Sequence, residues 1–317
     1  MKHLTLSETA AFLKEGNNYV MLTHRRPDGD TIGCAVALCR GLRQLGKTAY
    51  ILDNPQFTPK FRPFLEGLTT ERIPENACLV SVDIATEGLL PFNALNYVNQ
   101  VALLVDHHGR NSAFAARGYV DPERAACGEI ILELLQELGV APDKAIAEAI
   151  YVAVSTGTGC FRYSNTSAST LRAAALCKDW GADTFSINRT MFLTKRLARL
   201  KLDAYLSETT EFFAEGMVAV SMIPNVIRRE LGLTEDDIDD ISGFGREIEG
   251  VEIGIMIRQE PEGGKISVRT SPKYNASEIC AVLGGGGHVA AAGCSVPGTL
   301  ENGKAAILAV LREENVI

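Results

Sequence analysis

Short, continuous apolar runs recur through the first half of the chain, and polar or acidic residues cut each one off. Tyr19-Val20-Met21-Leu22-Thr23 and the runs at 47–52, 77–82 and 101–105 have the length and unbroken hydrophobicity of strands buried on both faces of a parallel sheet. Gly118-Tyr119-Val120 reads as a short edge strand. Between the runs the period changes to three or four. A first helix is expected over 7–16 with Ser7 as its N-cap, and a second from about 33 to 45 with Leu38, Leu42 and Leu45 on one face. A polar, proline-containing connection over 54–74 holds a short helix near Phe64-Leu65. A helix from 128 carries Ile131, Leu134, Leu135 and Leu138 on one face, and Pro142-Asp143 opens another that runs to about 154. This alternation, to about residue 185, predicts an α/β fold with a doubly wound, mostly parallel sheet.

The order then changes. A helical pattern with Leu193, Leu197, Leu200 and Ala204 on one stripe, Lys and Arg opposite, reads as a connector. Past residue 210 come strands at 216–222, 251–257 and 265–270, helices at 225–231 and 276–283, a turn through Pro261-Glu262-Gly263-Gly264 and a closing helix over 300–313. The expected division is a domain over 1–188, a helical linker over 189–210 and a smaller α/β domain over 211–317. A chain of 317 residues is long for one core, which also favours two domains.

Composition narrows the setting. No apolar run reaches membrane-span length, and the start, Met1 to Glu8, lacks the apolar core of a secretory signal. Eight scattered cysteines with no CxxC pair read as reduced core residues of a cytoplasmic protein, not a disulfide framework or a zinc cage. A net charge of −8 argues against long double-stranded DNA as a partner, since that needs a basic face. A phosphate substrate stays open, because clustered carboxylates with bound cations create a locally positive site.

The candidate chemistry lies where strands end, the edge at which ligands bind in open α/β sheets. The first strand runs into His24 and then Asp28-Gly29-Asp30, the third into Asp83, the fourth into Asp106-His107-His108. Singly, each has an ordinary explanation: turn and capping chemistry for Asp-Gly-Asp, surface histidines for the pair. Recurring at three strand ends, they form a set of potential metal ligands, and two of the chain's five histidines are adjacent here. Residues 155–166 are small and polar, so their backbone N–H groups suit anionic oxygens, although a glycine C-cap with a turn would also fit. Gly284-Gly285-Gly286-Gly287-His288 suggests close backbone approach to a phosphate or ribose, with His288 as donor and Arg269 and Lys273 as further phosphate contacts. Arg110 and Arg162 complete the expected substrate-binding set, with Gly285, Gly286 and Gly287.

Together these motifs resemble the DHH-family phosphoesterases that carry a DHH-associated C-terminal domain. The likeness is to the bacterial bifunctional oligoribonucleases that are also phosphoadenosine phosphate phosphatases, and it spans essentially the whole chain. It rests on His24-x-x-Pro27-Asp28-Gly29-Asp30-x-x-Gly33, Ser81-Val82-Asp83, Asp106-His107-His108, Thr158-Gly159-x-Phe161-Arg162-Tyr163-x-Asn165-Thr166 and Gly284 to His288. The resemblance implies two divalent cations, manganese in character. One is held by His24, Asp28 and Asp83, the other by Asp30, Asp83 and His107, with Asp83 bridging. Such a pair activates water and stabilises charge on the phosphoryl group. Asp83, His107, His108 and Asp106 are then the catalytic set: Asp106 orients the histidines, and His108 lies near the scissile phosphate. The second domain grips the nucleotide, so catalysis requires closure.

One departure stands out. The family's fourth motif reads Thr-Asp-Thr-Gly, its acid a ligand of the second metal, whereas this chain has Thr156-Gly157-Thr158-Gly159. The second site is therefore expected to bind more weakly and turnover to fall. The expected function is hydrolysis of short oligoribonucleotides to mononucleotides, of 3'-phosphoadenosine 5'-phosphate to AMP, or both. The alternatives are a catalytically inactive nucleotide- or RNA-binding protein of this fold or, among enzymes, a pyrophosphatase, exopolyphosphatase or cyclic-dinucleotide phosphodiesterase. Expected partners are short RNA or phosphorylated nucleotides, with no membrane, and a homodimer is left open.

Overall fold

A computed structural model describes residues 1–238, 240–314, 316 and 317. The chain forms two compact units, Met1–Thr194 and Lys195–Ile317. The first begins with β1 (Lys2–His3), α1 (Leu6–Glu15), β2 (Tyr19–Leu22), α2 (Gly29–Gln44), β3 (Ala49–Leu52), α3 (Arg62–Leu65) and β4 (Thr69–Thr70). It continues through β5 (Cys78–Val82), β6 (Val101–Asp106), β7 (Arg117–Val120), α4 (Cys127–Leu138), α5 (Lys144–Gly157), α6 (Ala168–Asp179) and α7 (Thr184–Asn188).

Its seven strands lie in the order β1-β7-β6-β5-β2-β3-β4, and each ladder among the described residues is parallel. The chain enters at β2, builds outward through β3 and β4, then returns to β5 on the other side. The C-terminal ends of β2 and β5 thus flank the point where the winding direction reverses, the place such sheets reserve for ligands. Side-chain alternation explains the unbroken apolar runs. Tyr19, Met21, Val80, Val82, Leu103 and Val105 face a core shared with α2, α4 and α5. Val20, Leu22, Leu79 and Leu104 face a second core with Leu90 and Ala94.

Two glycines set the position of α2. A Cβ on Gly33 would lie 2.3 Å from the Ala149 carbonyl oxygen, and one on Gly29 2.5 Å from the Thr156 side chain. Only a bare Cα allows α2 and α5 to approach this closely. That contact holds the start of α2, where Asp28 and Asp30 sit.

Several expectations shift. The first helix is capped by Thr5, which forms a capping box with Glu8, so Ser7 is already helical. The second helix starts at Gly29 rather than Gly33, because Asp28 caps it. Asp30 therefore belongs to a helix and not to a loop. Residues 155–157 are the last turn of α5, not the opening of a loop.

The second unit holds α8 (Leu197–Thr209), β8 (Glu211–Phe213), β9 (Val218–Ile223), α9 (Asn225–Glu230), α10 (Glu235–Ile238), β10 (Ile253–Glu260), β11 (Gly263–Thr270), α11 (Ala276–Ala281), β12 (Gly286–His288), β13 (Ala291–Pro297) and α12 (Leu300–Glu313). Its sheet runs β12-β13-β11-β10-β9-β8, antiparallel except between β9 and β10. Of the connector's leucine stripe, Leu193, Leu197 and Leu200 are exposed. Leu202 and Leu206 pack with Ile223, Ile238, Ile241 and Met256 instead. Arg199 is buried on that inner side, where Asp203 Oδ1 at 2.8 Å, the Asp237 carbonyl at 2.9 Å and Asp240 accept from its guanidinium. A paired arginine can occupy a buried face, and hydrophobic spacing alone does not show it.

The tetraglycine run is likewise not an open loop, and packing accounts for more of it than the sequence suggests. Gly284 has φ +74, while a Cβ on Gly285 would lie 2.2 Å from the Gly293 carbonyl oxygen and one on Gly287 2.5 Å from that of Ala291. Gly284 and Gly286 have open space where a Cβ would stand.

Candidate metal centre

The loop after β2 delivers His24 and α2 delivers Asp28. The His24 Nδ1 lies 2.9 Å from the Arg25 carbonyl oxygen, which accepts a hydrogen there and leaves the lone pair on Nε2. That Nε2 is 3.5 Å from Asp28 Oδ1 and 4.0 Å from Asp83 Oδ2. Asp28 also caps α2: its Oδ1 accepts from the Asp30 and Thr31 backbone N–H groups at 2.9 and 3.2 Å. The capping and metal-ligand readings of this residue are compatible, since Oδ2 takes no part in the cap.

Asp30, the second residue of α2, is buried and turned toward α4. Its Oδ2 accepts from the Cys127 N–H at 2.9 Å and its Oδ1 from the Gly128 N–H at 3.0 Å, so the carboxylate docks on a helix N-terminus. Its Oδ2 is 3.9 Å from His107 Nε2.

Asp83 follows β5 in a left-handed conformation, φ 59, with its N–H donated to the Val105 carbonyl at 2.9 Å. A positive φ at a non-glycine residue holds strain that its surroundings must impose. Here it turns the carboxylate inward at the end of the strand. The side chain is buried, and Oδ1 has no hydrogen-bond partner. Facing that oxygen are His107 Nε2 at 3.5 Å and His108 Nδ1 at 3.7 Å. A buried carboxylate oxygen without a donor, facing an imidazole nitrogen of His107 that offers a lone pair, suits a cation.

The two histidines after β6 are anchored differently. His107 Nδ1 lies 2.9 Å from the Arg124 carbonyl oxygen, and His108 Nδ1 2.7 Å from Asp106 Oδ1. Asp106 therefore holds His108, while backbone before α4 holds His107. The other Asp106 oxygen accepts from Asn111 Nδ2 at 2.5 Å, and Asn111 also donates to the Ile84 carbonyl at 3.1 Å. Sequence reasoning missed Asn111 and Arg124. Asn111, three residues past the histidines, is a polar side chain in a place where one could be sought. The Arg124 carbonyl is placed by tertiary structure and leaves no signal.

The charges respond to this crowding. Burial, with Asp30 and Asp28 nearby, pushes Asp83 well above the usual carboxylate range. Burial likewise raises Asp30, to about 6, against the pull of His107 and two backbone N–H donors. Burial opposes ionisation of Asp28, yet His24 beside it holds its carboxyl below the ordinary range. Burial disfavours charge on His24 and His108, but Asp28 and Asp106 respectively hold both imidazoles above their usual value. Asp106 is kept low by His108 and Asn111 despite its burial.

Among the described residues, two sets of ligand atoms converge, each within 4.8 Å: His24, Asp28 and Asp83, and Asp83, His107 and His108. Asp83 belongs to both. At Gly157, a Cβ would meet Asp30 Oδ2 at 3.0 Å and the Ala126 Cβ at 2.9 Å, so the position that lacks an acid adjoins Asp30. Beyond it the backbone is left-handed at three successive residues, Gly159, Cys160 and Phe161 (φ 55, 59 and 63). Asn165 ties this turn down by donating to the Ala125 and Gly157 carbonyls at 3.0 and 3.2 Å.

Arg110 is exposed, as is Arg162, whose Nε donates to the Gly159 carbonyl at 2.6 Å. In the second unit Arg269 donates to Ser242 Oγ at 2.9 Å, Lys273 pairs with Glu252 at 2.6 Å, and Gly286, Gly287 and His288 form exposed β12. No described helix is long and apolar enough to cross a membrane.

Comparison with known proteins matches residues 18–154 to the DHH family, N-terminal domain, and residues 215–315 to the DHHA1 domain. A Thermus thermophilus protein named bifunctional oligoribonuclease and PAP phosphatase NrnA is 33% identical over 95% of this chain and 90% of its own length. A Bacillus subtilis protein of the same name is 23% identical over 87% of this chain and 88% of its own. The crystal structure of an exopolyphosphatase-related protein from Bacteroides fragilis superposes with a TM-score of 0.86 at 21% identity, covering 97% of this chain and 96% of that one; at that identity the likeness speaks for the fold. The chain belongs to the DHH family, with a DHHA1 domain following the DHH domain.

Proposed function

We propose that this protein is a metal-dependent phosphoesterase that releases mononucleotides from short oligoribonucleotides and removes the 3'-phosphate of 3'-phosphoadenosine 5'-phosphate. The names of the relatives support the substrate class. The observation that carries the reading is the buried Asp83 carboxylate, whose Oδ1 lacks a hydrogen-bond donor and faces His107 and His108 while its Oδ2 faces His24. His24, Asp28 and Asp83 would hold one divalent cation, and Asp30, Asp83 and His107 would contribute to a second; manganese is the proposed ion. Bound there, the cations supply Lewis acidity and a water activated near neutral pH.

The chain's own residues prepare that chemistry. The Arg25 and Arg124 carbonyls keep Nδ1 of His24 and His107 protonated, so each ring presents a lone pair from Nε2. Asp106, itself fixed by Asn111, orients His108. The left-handed backbone at Asp83 commits its carboxylate to the pocket. Gly157 leaves the second position one carboxylate short, and weaker cation binding and reduced turnover follow. On the second unit, Arg269, Lys273 and the Gly285-Gly286-Gly287-His288 hairpin are assigned to the nucleotide. A net charge of −8 favours short strands over long duplex, and eight unpaired cysteines fit the cytoplasm.

The test is mononucleotide release from two- to five-nucleotide RNA with added Mn2+. Activity abolished by chelation and by Asp83→Asn is expected. Turnover that survives both would sink the proposal. Retained RNA binding without turnover would favour an inactive binding protein.

A further inference from the structure

We propose that Glu129 is a positioning residue for the second cation site, holding the segment 124–128 that fixes both Asp30 and His107. The inference rests on the metal-dependent reading above and concerns what keeps two of its ligands in register. The Arg124 carbonyl lies 2.9 Å from His107 Nδ1. The Cys127 and Gly128 N–H groups donate to the two oxygens of Asp30 at 2.9 and 3.0 Å. One short stretch therefore orients an imidazole that follows β6 and a carboxylate carried by α2. That stretch has no cap of its own. Ala126 stands at the N-cap of α4 with an extended backbone and no side-chain hydrogen bond, so the helix start must be held from elsewhere.

Glu129 supplies that hold. It is the third residue of α4 and only 2% exposed. Its Oε1 accepts from the Ala125 N–H at 3.1 Å and from Thr170 Oγ1 at 2.9 Å, and its Oε2 accepts from Ser169 Oγ at 2.8 Å. Both hydroxyls belong to the first turn of α6, which braces the carboxylate from a second helix. A glutamate that only joined α4 to α6 would be a packing device. The bond to Ala125 makes it more. The Ala125 N–H and the Arg124 carbonyl are the two ends of one planar peptide unit, so fixing the N–H fixes the direction of the carbonyl that holds His107. The reach back resembles that of a capping-box glutamate, directed here to the residue before the N-cap. It sets the first turn of α4, whose N–H groups hold Asp30. A carboxylate has no donor of its own and accepts all three hydrogens at once.

The experiment titrates Mn2+ into metal-free, full-length protein and follows free Mn2+ by its electron paramagnetic resonance signal, so no turnover is needed. The unaltered chain is expected to bind two Mn2+, one more weakly. Glu129→Ala should weaken the weaker site about tenfold and leave the tighter one unchanged. Mononucleotide release by that variant should recover when Mn2+ is raised about tenfold. Glu129→Gln keeps an oxygen for the Ala125 N–H and should restore the affinity. Asp143→Ala removes the N-cap of α5 and should lower Tm without altering either site, which separates lost stability from lost position. Circular dichroism checks the fold, and Glu129→Asp, one methylene shorter, takes the place of Glu129→Ala should that variant not fold. Unchanged affinity at both sites in the Ala variant, equal weakening of both, a Gln variant as weak as the Ala variant, or a single site in the unaltered chain would each overturn the assignment. No Mn2+ binding at all would instead remove the metal-dependent reading beneath it, so the two failures are distinguishable.

Discussion

Gly157→Asp should have effects of opposite sign in metal-free and metal-loaded protein. The new Cβ lies 3.0 Å from Asp30 Oδ2 and 2.9 Å from the Ala126 Cβ, so the added carboxylate adjoins an existing one and crowds a methyl group. Two unit charges about 4 Å apart repel by about 4 kcal/mol at an effective dielectric near 20, and crowding adds about 1 kcal/mol. Relaxation and partial protonation reduce the sum, so a loss of about 2–4 kcal/mol is expected at pH 7.5 without metal. For a unit of this size that is a fall of roughly 5–15 °C in Tm. With Mn2+ present the same pair of carboxylates becomes a ligand set, and affinity for the second cation should rise by about tenfold or more. Thermal unfolding in chelator and in Mn2+, with Mn2+ titration, reads both effects. Gly157→Asn has the same bulk without the charge and should lose only about 1 kcal/mol. Equal stability of the Asp and Asn variants without metal, together with an unchanged Mn2+ isotherm, would refute the placement of position 157 beside the cation site.

Metal-free protein should lose stability as pH rises from about 4 to 6. Asp30 is raised from 3.8 to about 6, so the folded state retains its proton longer than the unfolded chain. The contribution, about 3 kcal/mol, is fully present below the unfolded pKa and lost as pH climbs through the folded one. Asp83 acts in the same direction, and Asp30→Asn should flatten the profile in chemical unfolding. Asn111→Ala removes a donor to buried Asp106 and should cost about 1.5–3 kcal/mol, measured by thermal unfolding in chelator; an unchanged Tm would contradict the hydrogen-bond assignment. Gly33→Ala places a methyl 2.3 Å from the Ala149 carbonyl oxygen and should destabilise the protein by about 2 kcal/mol net of its gain in helix propensity. A stabilised variant would show that α2 and α5 are not packed as described.

Much of this centre could be anticipated. Buried parallel strands leave continuous apolar runs, and an acid or imidazole directly after such a run lands at the sheet's carboxyl edge. That is why His24, Asp83 and Asp106-His107-His108 stood out before any coordinates. What escaped the sequence depends on partners distant in the chain. The anchoring of His107 by the Arg124 carbonyl and of Asp30 by the start of α4 arises only once the strands and helices have packed. Likewise, Thr5 takes the cap expected of Ser7 through a reciprocal bond with Glu8. Hydrophobic spacing alone did not show that Arg199, with three acceptors, is buried while Leu193, Leu197 and Leu200 are exposed. The tetraglycine run was right as a special backbone, but close packing against β13 requires Gly285 and Gly287 whether or not a nucleotide approaches.

Crystals of the unaltered chain grown with Mn2+ and measured at the manganese absorption edge test the central claim most directly. Two anomalous peaks are expected, one bounded by His24, Asp28 and Asp83 and one by Asp30, Asp83 and His107. A pocket without a peak, in crystals whose protein is folded and saturated with Mn2+, would contradict it.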